Sequence, residues 1–158
     1  MHYQPQRHLL QDRIILVTGA SDGIGREAAL TYSRYSASVI LVGRNEEKLR
    51  GVAQEIEQAG GIPASWFTLD LLTCTPQECQ QLAQKIAIHY PRLDGVLHNA
   101  GLLGDVCPMD QQKPEVWQQV MQVNVNGTFM LTQALLPLLL KSESGSLVFT
   151  SSSVGRQG

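Results

Sequence analysis

Three glycines in the stretch Thr18-Gly19-Ala20-Ser21-Asp22-Gly23-Ile24-Gly25 stand where a short apolar run gives way to a helical repeat. Main-chain amides gathered at such a junction, backed by the positive end of a helix, can receive a pyrophosphate. Each glycine has a task there. Gly19 permits a tight turn, Gly23 lets a phosphate approach the backbone with no Cβ in its way, and Gly25 lets the helix lie close to the sheet. A chain with 14 glycines can meet this spacing by chance. A structural turn without a ligand would also use the same residues, so the reading rests on the strand before the loop and the helix after it.

Val42-Gly43-Arg44-Asn45 closes a second apolar run, at the point where a dinucleotide-binding fold meets the adenosine ribose. An acidic residue there would bind two free ribose hydroxyls, whereas Arg44 can neutralise a 2′-phosphate, so NADP is preferred and NAD is the alternative. Asp22 adds a negative charge in the glycine loop, and the competing reading is a solvated arginine beside a helix cap at Asn45. Leu69-Asp70-Leu71 and His98-Asn99-Ala100-Gly101 end two further apolar runs, at the edge where open α/β sheets bind ligands. Asp70 either accepts from an adenine amino group or caps local backbone. Asn99, Ala100 and Gly101 either border the cofactor or form an Asx turn, with His98 a satisfied histidine at a strand end.

These residues need elements to hold them. Ile14-Ile15-Leu16-Val17-Thr18 has the pattern of a strand buried on both faces. From Gly23 to about Ser36, Ile24, Ala28, Ala29, Tyr32 and Tyr35 recur at three-to-four spacing, which predicts an amphipathic helix. Ser38 to Val42 is the second strand. Asn45 then serves as an N-cap with Glu46 and Glu47 in the first turn. Leu49, Val52, Ala53 and Ile56 mark the apolar face of this helix, and Gly60-Gly61 and Pro63 end it. After a strand from Ser65 to Leu69, Thr75-Pro76-Gln77-Glu78 combines an N-cap, a proline at the first helical position and a capping-box carboxylate. The helix it opens carries Cys79, Leu82, Ala83, Ile86 and Tyr90 on one face and is closed by Pro91. A fourth strand from Gly95 to His98, a long helix from about Pro114 to Leu140 with a bend at Pro137, and a fifth strand from Ser146 to Ser151 complete the pattern. Such alternation predicts an α/β fold with a doubly wound parallel sheet, forming one domain over residues 13–158 after an arm at 1–12.

Composition narrows the partners. The 158 residues are 43% hydrophobic and 16% charged, the balance of an ordinary globular domain. Twelve basic residues against 14 acidic ones give a formal charge of -2, which attracts neither nucleic acid nor anionic lipid. The longest apolar stretch, Ala134 to Leu140, is interrupted by Pro137 and falls far short of the roughly 20 residues that cross a bilayer. The polar N-terminus leads into no secretory apolar core, so the expected location is the cytoplasm. Cys74, Cys79 and Cys107 form no CxxC pair and join no histidine cluster, so reduced thiols are expected and no metal site.

Together these residues resemble the short-chain dehydrogenase/reductase family, over essentially the whole chain from Arg13 to Gly158. Thr18, Gly19, Gly23 and Gly25 match its TGxxxGxG cofactor motif, whose intervening places hold Ser21, Asp22 and Ile24. His98-Asn99-Ala100-Gly101 is similar to its NNAG motif, with His98 departing at the first place. Asn124, in Val123-Asn124-Val125-Asn126-Gly127, matches the family's mid-helix asparagine. Ser152, with an apolar strand before it and Gly155 after it, matches the catalytic serine.

The resemblance implies a Rossmann-type fold with the first five strands present and the family's last elements absent. It also implies hydride transfer between a nicotinamide and a carbonyl or alcohol carbon of a small-molecule substrate. Ser152 would hold the substrate oxygen and Asn124 would keep a water in a proton relay. A homo-oligomer is implied as well, with Leu135, Leu136, Leu138, Leu139 and Leu140 either contributing to the contact or packing in the core. The family's YxxxK acid/base pair should follow the serine by about a dozen residues; the chain stops at Gly158, and Tyr90 has no lysine four places on. Loss of such a pair lowers catalysis by roughly 100-fold to 10,000-fold. The sequence therefore reads as the N-terminal part of an NADP(H)-dependent oxidoreductase. The alternatives are a nucleotide-binding module without chemistry and a truncated, inactive product whose exposed strand edges would drive association.

Overall fold

The computed structural model describes residues 5–152. The first four residues of the arm and residues 153–158, Gly155 among them, lie outside the described residues.

Five strands form one sheet: β1 (Ile14–Thr18), β2 (Ser38–Gly43), β3 (Ser65–Thr68), β4 (Gly95–His98) and β5 (Ser146–Phe149). Their order is β3-β2-β1-β4-β5 and every pairing is parallel, so the sheet is doubly wound as its βα alternation predicts. The sheet changes direction of winding beside β1. β2 lies on one flank and β4 on the other, and a crevice opens there at the strands' carboxyl ends.

The helices are α1 (Gly23–Arg34), α2 (Glu46–Gln58), α3 (Pro76–His89), α4 (Pro114–Met121) and α5 (Thr128–Leu139). Successive strand residues point to opposite faces, which divides the core in two. Leu16, Ile40 and Val96 pack with Leu82, Ile86, Leu131 and Leu135, while Val17, Leu41 and Leu97 pack with Ala29, Leu49 and Ile56. The predicted apolar face of α2, Leu49, Val52, Ala53 and Ile56, is buried throughout. The capping box is present at Thr75 and Glu78. The three thiols are free, with Cys74 and Cys79 buried. No helix among the described residues is long and apolar enough to cross a membrane.

Two expectations are corrected. Ile24, assigned to the apolar face of α1, is 71% exposed in the first turn of that helix. The single long helix is three segments, since residues Gln122–Gly127 form a π-helical turn between α4 and α5. That irregularity lies well before Pro137, through which α5 continues. The Leu71 carbonyl packs against this turn: a Cβ on Gly127 would lie 2.8 Å from that oxygen, and Gln122 Nε2 donates to it at 3.2 Å. Of the five leucines near the end of α5, Leu135, Leu138 and Leu139 are buried, while Leu136 and Leu140 are exposed.

Candidate functional site

The glycine loop is shaped by left-handed conformation at Gly19 and Gly23 and by crowding at Gly19 and Gly25. Gly19 has φ 65°, and a Cβ there would lie 2.9 Å from Ala100 Cα and 3.2 Å from Asn99 Nδ2. A Cβ on Gly25 would overlap the Gly19 carbonyl oxygen and come within 2.6 Å of Asn99 Nδ2, so α1 starts directly against the turn and the end of β4. Gly23 differs from both. Its φ is 52°, yet a Cβ would meet nothing within 4 Å, so this residue bounds open space.

Thr18 fastens the loop to its neighbour. Its buried hydroxyl oxygen accepts from the amides of Asn99 at 3.0 Å and Ala100 at 3.1 Å. Asn99 Oδ1 accepts from Thr150 Oγ1 at 3.2 Å, so this side chain ties β4 to the end of β5 rather than closing an Asx turn. Thr150 N donates to the His98 carbonyl at 2.8 Å, which places the segment leading to exposed Ser152 alongside.

A cleft of about 650 Å³ runs along the carboxyl ends of the strands. Thr18, Gly19, Ser21, Asp22, Arg44, Asp70, Asn99, Ala100 and Gly101 all line it, so residues far apart in sequence share one wall. Ile24 projects at the start of α1, and Gly25 is buried beneath the turn.

Arg44 is exposed and makes no hydrogen bond or ion pair among the described residues. Asn45 caps α2 by accepting from Lys48 N at 2.9 Å. Asp70 Oδ1 accepts from Leu72 N at 2.9 Å, so one carboxylate oxygen caps local backbone while the residue still faces the cleft. Asp22 Oδ1 accepts from Gly23 N at 2.9 Å, and Oδ2 from Lys48 Nζ at 2.8 Å. The lysine hydrogen bond, followed by that of the Gly23 amide, holds the Asp22 carboxyl below its ordinary range. Sequence reasoning missed Lys48. Its only signal was a place in the first turn after the Asn45 cap.

Asn124 and Ser152 stand outside the cleft wall. Asn124 Nδ2 donates to the Leu102 carbonyl at 2.9 Å, and its Oδ1 accepts from Leu102 N at 2.8 Å. Both polar ends of this side chain anchor the loop that follows Gly101.

His98 is 4% exposed and departs from the expected satisfied histidine. The Thr132 hydroxyl donates to the Thr128 carbonyl at 2.7 Å, so at 2.9 Å it accepts from His98 Nε2, which fixes the tautomer and leaves Nδ1 as an acceptor. Nδ1 is buried without a hydrogen bond among the described residues, and the ring stacks on Phe149 with centroids 5.1 Å apart. Burial pushes the His98 pKa down to about 4. Among the described residues, no cluster of histidine, cysteine and acidic side chains could hold a metal ion.

A doubly wound sheet with a glycine turn at its switch point defines a class, and comparison with known proteins gives the same one: the chain belongs to the short chain dehydrogenase family, matching it over residues 13–158. The uncharacterized oxidoreductase YciK of Escherichia coli (strain K12) is 78% identical over 158 residues, which are 100% of this chain and 63% of that protein. A short chain dehydrogenase from Shigella flexneri 2a, solved as a complex with NADP, superposes with a TM-score of 0.95 at 76% identity, covering 97% of this chain and 64% of that one. A short chain dehydrogenase from Escherichia coli CFT073, solved as a complex with NADPH, has a TM-score of 0.95 at 77% identity, covering 98% and 64%. The chain thus spans a little under two thirds of the length of these relatives.

Proposed function

We propose that this chain binds NADP(H) in the cleft at the carboxyl ends of β1 to β4, as the dinucleotide-binding part of an oxidoreductase. One observation carries the reading: Gly23 opens onto free space next to Asp22, which lines the same cleft as an uncommitted Arg44. The pyrophosphate would lie against the amides of the Gly19–Gly25 turn, where the α1 dipole and the absence of side chains favour an anion. Arg44 would receive the 2′-phosphate, and Asp70, through its free oxygen, the adenine amino group. Asn99, Ala100 and Gly101 would border the nicotinamide half, kept in place by Thr18. The two relatives solved with NADP and NADPH support this choice of cofactor.

The reaction we assign to the whole protein is hydride transfer between the nicotinamide, which supplies or accepts the hydride when bound, and a carbonyl or alcohol carbon of a small molecule. Ser152 would hold the substrate oxygen, donating a hydrogen bond that strengthens as negative charge develops there. Asn124 would serve the proton relay by fixing the loop at Leu102, since its own amide is committed to that loop. Exposed Leu136 and Leu140 fit a homo-oligomer built on the α5 face, and a cytoplasmic location suits a reduced-thiol enzyme of this kind. No tyrosine in the 158 residues has a lysine four places on. For these residues by themselves we therefore propose dinucleotide binding, and we assign turnover to a protein in which such a pair follows Ser152.

Fluorescence titration with NADPH and NADH tests the reading. Saturable NADPH binding, tighter than NADH and losing that preference in Arg44→Ala, is expected. Equal affinity for the two before and after the substitution would refute the role of Arg44.

A further inference from the structure

The cleft carries a charge pair that the reading above leaves unused. Asp22 sits on the glycine loop and Lys48 in the first turn of α2, and their side chains meet at 2.8 Å across the mouth of the cleft that Arg44 also lines. Both partners are more than half exposed. The Asp22 carboxylate is pinned to the loop by its second bond, to the Gly23 amide. Lys48 is therefore the mobile member of the pair.

We propose that Lys48 is a second cationic contact for the 2′-phosphate of NADP(H), held by Asp22 in the free protein and transferred to the phosphate when the dinucleotide enters. The inference rests on the dinucleotide-binding reading and adds to it a residue that sets specificity. Its physical basis is a difference between two partners for one ammonium. An exposed carboxylate gives a lysine little net stabilisation, so breaking the pair costs little. A 2′-phosphate beside Arg44 offers more negative charge and several acceptor oxygens.

Charge balance points the same way. Without Lys48, the Asp22 carboxylate would stand unneutralised at the rim and repel the phosphate that Arg44 attracts. With Lys48 present, Arg44 and Lys48 match the two carboxylates of the cleft wall, Asp22 and Asp70; without it the wall carries an excess of one negative charge. Glu46 lines the adjoining groove on the other side of Arg44, outside the wall of this cleft. NADH lacks the 2′-phosphate that takes up the ammonium beside Arg44, so Lys48 separates the two dinucleotides by the group that distinguishes them.

The test is a set of titrations of the 158-residue chain and its Lys48→Met, Asp22→Asn and Arg44→Ala variants. The ligands are NADPH, NADH, adenosine 2′,5′-bisphosphate and adenosine 5′-monophosphate. Asparagine caps a helix as well as aspartate does, so Asp22→Asn removes charge and keeps the bond to Gly23. Lys48→Met should weaken NADPH and the bisphosphate about tenfold, the loss of one charge-assisted contact, and leave NADH and the monophosphate within about twofold. Asp22→Asn should tighten NADPH about threefold and NADH by less, so that the NADPH/NADH ratio rises. Two variants that change melting temperature but leave the NADPH/NADH ratio intact would show that the pair only bridges α1 and α2, and would overturn the inference. Loss of the ratio in Arg44→Ala alone would sink Lys48 and leave the underlying reading standing. A wild-type chain that binds neither dinucleotide would remove both.

Discussion

Gly23→Ala separates a glycine kept for a ligand from one kept for a turn. The backbone there has φ 52°, a left-handed conformation that costs an L-residue about 1 to 2 kcal/mol. A methyl group would meet no atom within 4 Å, so no steric penalty is added and the variant should fold. For a chain of this length, that strain lowers the melting temperature by roughly 2 to 8 °C. Gly60→Ala provides the matched control. Gly60 has φ 80° and equally open surroundings, but it follows α2 at the end remote from the Asn45 cap. The two variants should lose similar stability in urea unfolding and diverge in cofactor titration. A phosphate that approaches the Gly23 backbone would collide with the new methyl, so the Kd for NADPH should rise at least tenfold, about 1.4 kcal/mol, in Gly23→Ala and stay within twofold in Gly60→Ala. Affinity is measured on folded molecules, so the shared strain does not enter it. If Gly23→Ala binds NADPH as the wild type does, nothing approaches that residue and the glycine serves the turn alone.

Two further outcomes follow from buried groups. The folded pKa of His98 is about 4 against an ordinary value of 6.5, so below pH 6.5 the unfolded chain takes up a proton that the folded one refuses, and stability falls as pH drops toward 4. Urea unfolding should show up to about 3 kcal/mol of this loss, most of it above the carboxylate range, and His98→Asn should flatten it; identical slopes in both proteins would contradict the assignment. Burial pushes up the pKa values of Cys74 and Cys79, that of Cys79 to about 12, and their sulfurs lie 3.9 Å apart in the interior. A thiol reagent at neutral pH should therefore titrate Cys107 quickly and the other two only on unfolding, and three fast equivalents in the native protein would refute the burial.

The fold was legible because its signals are local. Thr75 and Glu78 sit at capping-box spacing and form the box, and Leu49, Val52, Ala53 and Ile56 repeat at the period of a helix and are buried together. The misreadings share one cause, which is that periodicity does not record what lies across from a residue. Ile24 fits the apolar repeat of α1 but is exposed in its first turn, while Ala29 is buried and Ala28 and Tyr32 are half-buried. The widened turn at Gln122–Gly127 packs against a carbonyl from Leu71, some fifty residues away in sequence, and no pattern within the helix announces it. The site divides likewise. The glycine loop, Arg44, Asp70 and Asn99 could be placed at one rim from strand ends alone. The Thr18 hydroxyl beneath Asn99, the bonds from Asn124 to Leu102 and the pairing of Lys48 with Asp22 are tertiary contacts, readable only once the strands are ordered.

Amide chemical shifts of the isotopically labelled chain, followed as NADPH is added, test the central claim most directly. Saturable displacement centred on the amides from Gly19 to Gly25, with Arg44 and Asn99 to Gly101 moving at the same ligand concentration, is the predicted result. Unmoved signals, or shifts gathered on another face of the sheet, would contradict the assignment of the cleft.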